Sequence, residues 1–168
     1  MSGFHSTTLG FAAARHLREN GSDVLFHAAG GSGWGMFGYA RTHLEEAAET
    51  TWCIGVDLDQ SEELVNRSAE WGLDEESRRL IRSQILTSIS WRLDIAIRDM
   101  IADFLEGGTV GDLDAAIASG HIEYAGSSGA LEEFQSVLDE ALSAMEDGSL
   151  DVAARLALKP DLLVDRLG

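Results

Sequence analysis

Apolar and polar positions along this chain alternate between two periods. From about Thr8 to Asn20 the period is helical: Leu9, Ala13, His16 and Leu17 fall on one face, Thr7 or Thr8 can cap the start, and Gly21 ends it. Val24 to Ala29 is a continuous apolar run of strand length, the pattern of a buried parallel strand. An amphipathic helix from about Trp34 to Glu49 and a second strand from Thr51 to Val56 follow. Gln60 to Arg82 is polar and rich in acids, is broken by Trp71-Gly72, and reads as a surface insertion with one or two short helices. Gln84 to Ile89 predicts a third strand. Leu93, Ile97, Met100, Ile101 and Phe104 then predict a helix that stops at Gly107-Gly108. Ile122 to Tyr124 is a short strand between Gly120 and Gly126. Leu131, Phe134, Leu138, Ala141 and Met145 mark a further helix ending near Gly148. The tail from Val152 to Gly168 holds the only proline, Pro160, and reads as a loosely docked helix.

Strand, glycine turn, helix and strand in that order make a βαβ unit. The expected fold class is α/β: a small sheet of about three parallel strands with flanking helices and a C-terminal helical extension. The expected division is a lobe over residues 1–150 and an extension over 151–168. Open α/β sheets usually have more strands than this, so the chain has the look of a piece of something larger.

Ligands of such sheets sit outside the carboxyl ends of the strands. Two features fall there. The loop Gly30-Gly-Ser-Gly-Trp-Gly35 lets a ligand approach the backbone, with a helix N-terminus behind it. It fits neither a dinucleotide fingerprint, because Met36 stands where a third glycine belongs, nor a P-loop. A plain strand-to-helix turn is the alternative. Asp57 ends the second strand, where a carboxylate can accept both hydroxyls of a ribose diol. An N-cap or solvated turn acid is the alternative there, and Asp59 fits that alternative better. Phe4 stands just before the first helix, where an aromatic face can stack on a base or simply pack in the core.

Charge narrows the partners. The 168 residues carry a net charge of −17, with one lysine, Lys159, against eleven arginines. Nucleic acid is excluded as a partner on that ground, because phosphate binding needs a basic face. The single cysteine, Cys53, lies inside an apolar strand and reads as a buried inert thiol. The five histidines show no metal-ligand spacing, no G-x-S-x-G elbow is present, and no catalytic acid, base or nucleophile stands out. Neither an enzymatic activity, nor a cofactor, nor a metal is therefore expected. No apolar run reaches the length of a membrane span.

Three segments together resemble a known family. Gly21-Ser-Asp-Val-Leu-Phe-His-Ala-Ala-Gly-Gly-Ser-Gly33, Trp52-Cys-Ile-Gly-Val-Asp-Leu-Asp-Gln60 and Ile85-Leu-Thr-Ser-Ile-Ser-Trp-Arg-Leu-Asp94 are similar, in order and spacing, to signatures of the basic membrane protein family. Gly120-His-Ile-Glu-Tyr-Ala125 resembles the segment that returns toward the family's other lobe. These are substrate-binding components of ABC importers, many of them lipoproteins that bind purine nucleosides. The resemblance covers about Gly3 to Val152 and implies one lobe of a type I periplasmic-binding-protein fold. It implies a base-stacking role for Phe4, a backbone contact at Gly30 and Gly31, and a ribose-hydroxyl acceptor at Asp57. Trp91 stands where the family usually has a ribose-binding lysine, a change that removes an ammonium donor.

The resemblance reaches the family's second lobe and tail only. The implied partners are a small-molecule nucleoside and an ABC permease, with a first lobe on another chain or a homodimer through the open cleft face completing the site. The family is extracytoplasmic and membrane-anchored. Met1-Ser-Gly-Phe-His shows no signal peptide, which makes a cytoplasmic location the expectation if that start is genuine. Two other readings stay open: a small dinucleotide-dependent oxidoreductase domain, and an interaction or regulatory domain that binds no solute.

Overall fold

The structure is a computed structural model and describes residues 5–69, 71–108, 120–125 and 129–150. Helix α1 spans Thr7–Glu19 and is capped by Ser6, whose hydroxyl accepts from the Leu9 amide at 3.4 Å. Its packed face differs from the expected one. Leu9 and Leu17 are 51% and 44% exposed, whereas Ala14 is 3% exposed. Small residues mark the contact because α2, Trp34–Ala47, and the turn before it come very close: a methyl group added at Gly35 would collide with the Thr7 carbonyl, and one at Gly10 with the Ser32 carbonyl.

Strand β1 is Val24–Phe26, shorter than the apolar run, and only Leu25 is buried. It lies at one end of the described sheet and is covered on one face, so Val24 and Phe26 are exposed where burial on both faces was expected. β2, Trp52–Asp57, pairs parallel with β1 and with β3, Ile85–Trp91. β4, Ile122–Tyr124, pairs antiparallel with β3, setting Ile89 opposite Tyr124. The sheet order is β1-β2-β3-β4. The α/β class and flanking helices are as expected, with a fourth, antiparallel strand in the described sheet.

The core joins Leu25, Cys53 and Ile85 of the sheet to Met36, Phe37, Tyr39 and Ala40 of α2. It also takes in Leu64 of α3, Gln60–Asn66, and Ile81 of α4, Glu75–Arg82. Those two side chains are 1% and 4% exposed. The polar stretch after β2 is thus two short helices, as expected, but it is built into the core and is no mere surface insertion. Few apolar residues suffice for this because they recur on the inward faces of helices that Asp59 and Asp74 cap.

The described residues divide into two compact units, one holding α1–α4 and all four strands, the other α5, Leu93–Leu105, and α6, Gln135–Glu146. In the second unit Asp99 pairs with the buried His121 at 3.0 Å. The stripe of Leu93, Ile97, Ile101 and Phe104 forms as a helix face but is exposed, and Ala96 is the buried position of α5. The tail from Val152 to Gly168 lies outside the described residues. No described helix is long and apolar enough to cross a membrane.

Candidate functional site

Because β1 and β2 run parallel, their carboxyl ends open on the same edge of the sheet. After β1 the chain enters a 3-10 turn, Gly30–Gly33, that runs directly into α2. Gly30 sits at φ +52°, a conformation that residues with a Cβ rarely adopt. β2 ends at Asp57, whose φ is +76°. A left-handed backbone at a non-glycine residue costs on the order of 1 kcal/mol, least for Asp and Asn, and such positions cluster at functional sites. Asp59 then caps α3 by accepting from the Ser61 and Glu62 amides, which is the structural role that sequence reasoning gave it.

Between these strand ends lies a cleft of about 660 Å³. Gly30, Gly31 and Trp34 line it, with Asp57 at the end of β2, Leu58 and Gln60 just after it, and Glu63, Arg67 and Trp71 from the following segment. The structure therefore brings Gly30, Gly31 and Asp57 together. Trp91, 45% exposed, lines a neighbouring hollow that shares Asp57 and Leu58 with the first and adds Arg92 and Glu123, an ion pair at 3.2 Å. Phe4 lies outside the described residues. Volumes of this order suit a small organic solute.

A buried hydrogen-bond junction holds the cleft floor. The Gln60 side-chain oxygen accepts from the Val56 amide at 3.1 Å and meets His27 Nε2 at 2.7 Å. An oxygen already taking an N–H can only accept, so His27 carries its proton on Nε2. The Gln60 amide in turn donates to Ser88 Oγ at 3.1 Å, tying α3 to β3. His27 is 7% exposed, and its Nδ1 has no hydrogen-bond partner among the described residues. Burial holds its imidazole below the ordinary value, against the Gln60 hydrogen bond and the Asp57 charge, which pull it up.

This has a consequence for pH. The unfolded chain takes up the His27 proton near the usual histidine value of about 6.5, while the folded chain takes it up only at lower pH. Stability from this group is full above the unfolded value and falls as pH drops through it toward the folded one. Urea denaturation at pH 7.5 and 5.5 is expected to show that loss, and His27→Leu is expected to flatten it. An unchanged slope in the variant assigns the loss to other groups.

Tryptophans supply a wall that sequence reasoning missed. Trp34 and Trp71 pack with ring centroids 4.1 Å apart and planes tilted by 53°, and Trp34 also meets Phe37. Arg67, ion-paired with Glu63, places its guanidinium carbon 5.8 Å from the Trp71 ring centre. The only sequence signal for this was a tryptophan on either side of the cleft, one inside the glycine loop and one in a segment otherwise without aromatics. Cys53 is fully buried, and burial pushes its thiol up to about 12, so it is inert as expected. Among the described residues, no group of three or more His, Cys, Asp or Glu is placed to hold a metal ion.

No family model matches the chain. Two curated proteins, the CD4+ T-cell-stimulating antigens of Listeria monocytogenes and Listeria innocua, are each 36% identical to it over 98 residues. That stretch is 58% of this chain and 25% of theirs, so the match spans about a quarter of the length of these relatives. Among solved structures, an ABC transporter solute-binding protein from Aeropyrum pernix K1 superposes with a TM-score of 0.49 at 22% identity, covering 90% of this chain and 34% of that one.

Proposed function

We propose that this chain is a solute-binding lobe of an ABC importer that holds a purine nucleoside, or a similar ribose-containing solute, without chemistry. The observation that carries the reading is the convergence of Gly30, Gly31 and Asp57, from two adjacent strand ends, on one cleft. The Asp57 carboxylate is the acceptor for a vicinal diol, and the glycine turn lets the ligand lie against the backbone. The left-handed backbone at Asp57 supports this, because it is a conformation retained at some cost in stability. A second lobe that closes over the ligand and a permease are the partners this reading requires.

Asp57→Asn tests it cleanly, since Asn adopts the left-handed conformation as readily as Asp and the fold is expected to persist. Adenosine, guanosine, inosine, cytidine and uridine are titrated against both forms in thermal melts. A nucleoside at about 100 times its dissociation constant adds roughly 2.7 kcal/mol of stability. Loss of a charged acceptor is expected to weaken binding about tenfold or more and so to remove about half of that shift or more. No shift in the unmodified chain with any nucleoside, or an equal shift in Asp57→Asn, overturns the reading.

A further inference from the structure

We propose that Trp71 and Arg67, backed by Trp34, form the subsite for a planar heteroaromatic ring of the ligand. The inference rests on the solute-binding reading above and adds the part of the ligand that Asp57 and the glycine turn do not address. All three side chains line the same cleft as Gly30, Gly31 and Asp57. Trp34 lies against Trp71 and fixes its position, and Phe37 lies behind Trp34.

The spacing of Arg67 is the telling feature. Its guanidinium carbon lies 5.8 Å from the Trp71 ring centre, close to the outer limit of useful cation–π attraction, about 6 Å. Two stacked contacts of about 3.5–4 Å each need roughly 7–8 Å. A flat ring therefore enters between the guanidinium and the indole once Arg67 moves outward by one or two ångströms. Arg67 can do so because its own side chain is half exposed, and a shift of that size is small enough to keep it within reach of the less exposed Glu63. A heteroaromatic ring so placed has an indole on one face and a cation on the other, both of which attract a π system whatever its substituents. The subsite thus favours a ring-bearing solute over a bare sugar.

The test is isothermal titration and tryptophan fluorescence with adenosine, uridine and D-ribose on the whole chain. Wild type is expected to bind adenosine at least about tenfold more tightly than ribose, the factor that one base–aromatic stack supplies. Trp71→Leu is expected to bring adenosine down to the ribose level while leaving ribose affinity unchanged. Trp71→Phe, which keeps an aromatic face, is expected to retain most of the preference but lose most of the fluorescence change. Arg67→Met, on a half-exposed side chain, is expected to weaken adenosine severalfold at temperatures where the variant stays folded, and it decides the matter if Trp71→Leu does not fold. Adenosine binding that depends on Asp57 but is unchanged in both Trp71→Leu and Arg67→Met, or in Arg67→Met alone where Trp71→Leu does not fold, overturns the subsite and leaves the solute-binding reading standing. Failure of wild type to bind any of the three probes overturns both.

Discussion

Gly35→Ala is expected to destabilise the chain by about 3–5 kcal/mol and to lower its melting temperature by roughly 10 °C or more. Alanine is otherwise the better helix former, so intrinsic propensity alone points the other way. The loss comes from where α1 and α2 cross. A Cβ at Gly35 would run into the Thr7 carbonyl oxygen and the Phe11 amide nitrogen of α1, and one at Gly10 into the Ser32 carbonyl. These are backbone atoms, so no side-chain rotation relieves the overlap, and the helices must separate. Separation also strains the bond from the Ser6 amide to Ser32 Oγ, 2.9 Å, which ties the start of α1 to the glycine turn. The turn that lines the cleft is thus held from behind by a helix pair that two glycines bring together. Gly38→Ala, in the same helix, is the control. Its added methyl would meet only Phe11 Cδ2 at 3.9 Å, an ordinary contact, and the variant is expected to be neutral or more stable by up to about 1 kcal/mol. Urea titrations of the two variants separate the readings: equal effects from both would show that the crossing does not depend on close approach at Gly35.

That crossing also shows where sequence reasoning reached and where it stopped. The βαβ order, the glycine turn and the strand-end acid were legible because each is a local signal: an apolar run, a cluster of glycines, a carboxylate at a run's end. Gly30, Gly31 and Asp57 meet at one cleft for the topological reason that parallel strands put their carboxyl ends on one edge. The contact face of α1 was not legible in the same way. Periodicity selects the largest apolar residues, Leu9 and Leu17, whereas close packing selects the smallest, Gly10 and Ala14. The segment from Gln60 to Arg82 misled for a related reason. Its composition is that of a surface, yet Leu64, Ile81 and Trp71 suffice to dock it, because short capped helices present Leu64 and Ile81 inward and Trp71, in the turn between them, packs against the core. The Gln60 junction left no trace in the pattern, since a polar residue at a helix start reads as a solvated one until its partners are known.

Gln60→Leu is expected to cost roughly 2–5 kcal/mol, more than a glutamine at the first position of a seven-residue helix would suggest. Leucine nearly preserves the side chain's volume, so cavity formation contributes little. What is lost is an acceptor that serves two donors at once, the Val56 amide and His27 Nε2–H, at 3.1 and 2.7 Å. Each group left without a partner at this junction costs about 1–3 kcal/mol. The Ser88 hydroxyl bond to the Gln60 amide is a backbone contact and survives the substitution. A double-mutant cycle with His27→Phe isolates the shared term. His27→Phe removes one of the two orphaned donors, so the pair is expected to be less destabilised than the sum of the single variants by about 1–2 kcal/mol. Additivity within about 0.5 kcal/mol would show that the His27–Gln60 contact contributes nothing beyond packing. The expected coupling bears on the site as well as on stability. The Val56 amide that Gln60 fixes immediately precedes Asp57, so loosening it lets the strand end leave its left-handed turn and move the carboxylate away from the glycines. Gln60→Leu is therefore expected to weaken nucleoside binding even at temperatures where the chain remains folded.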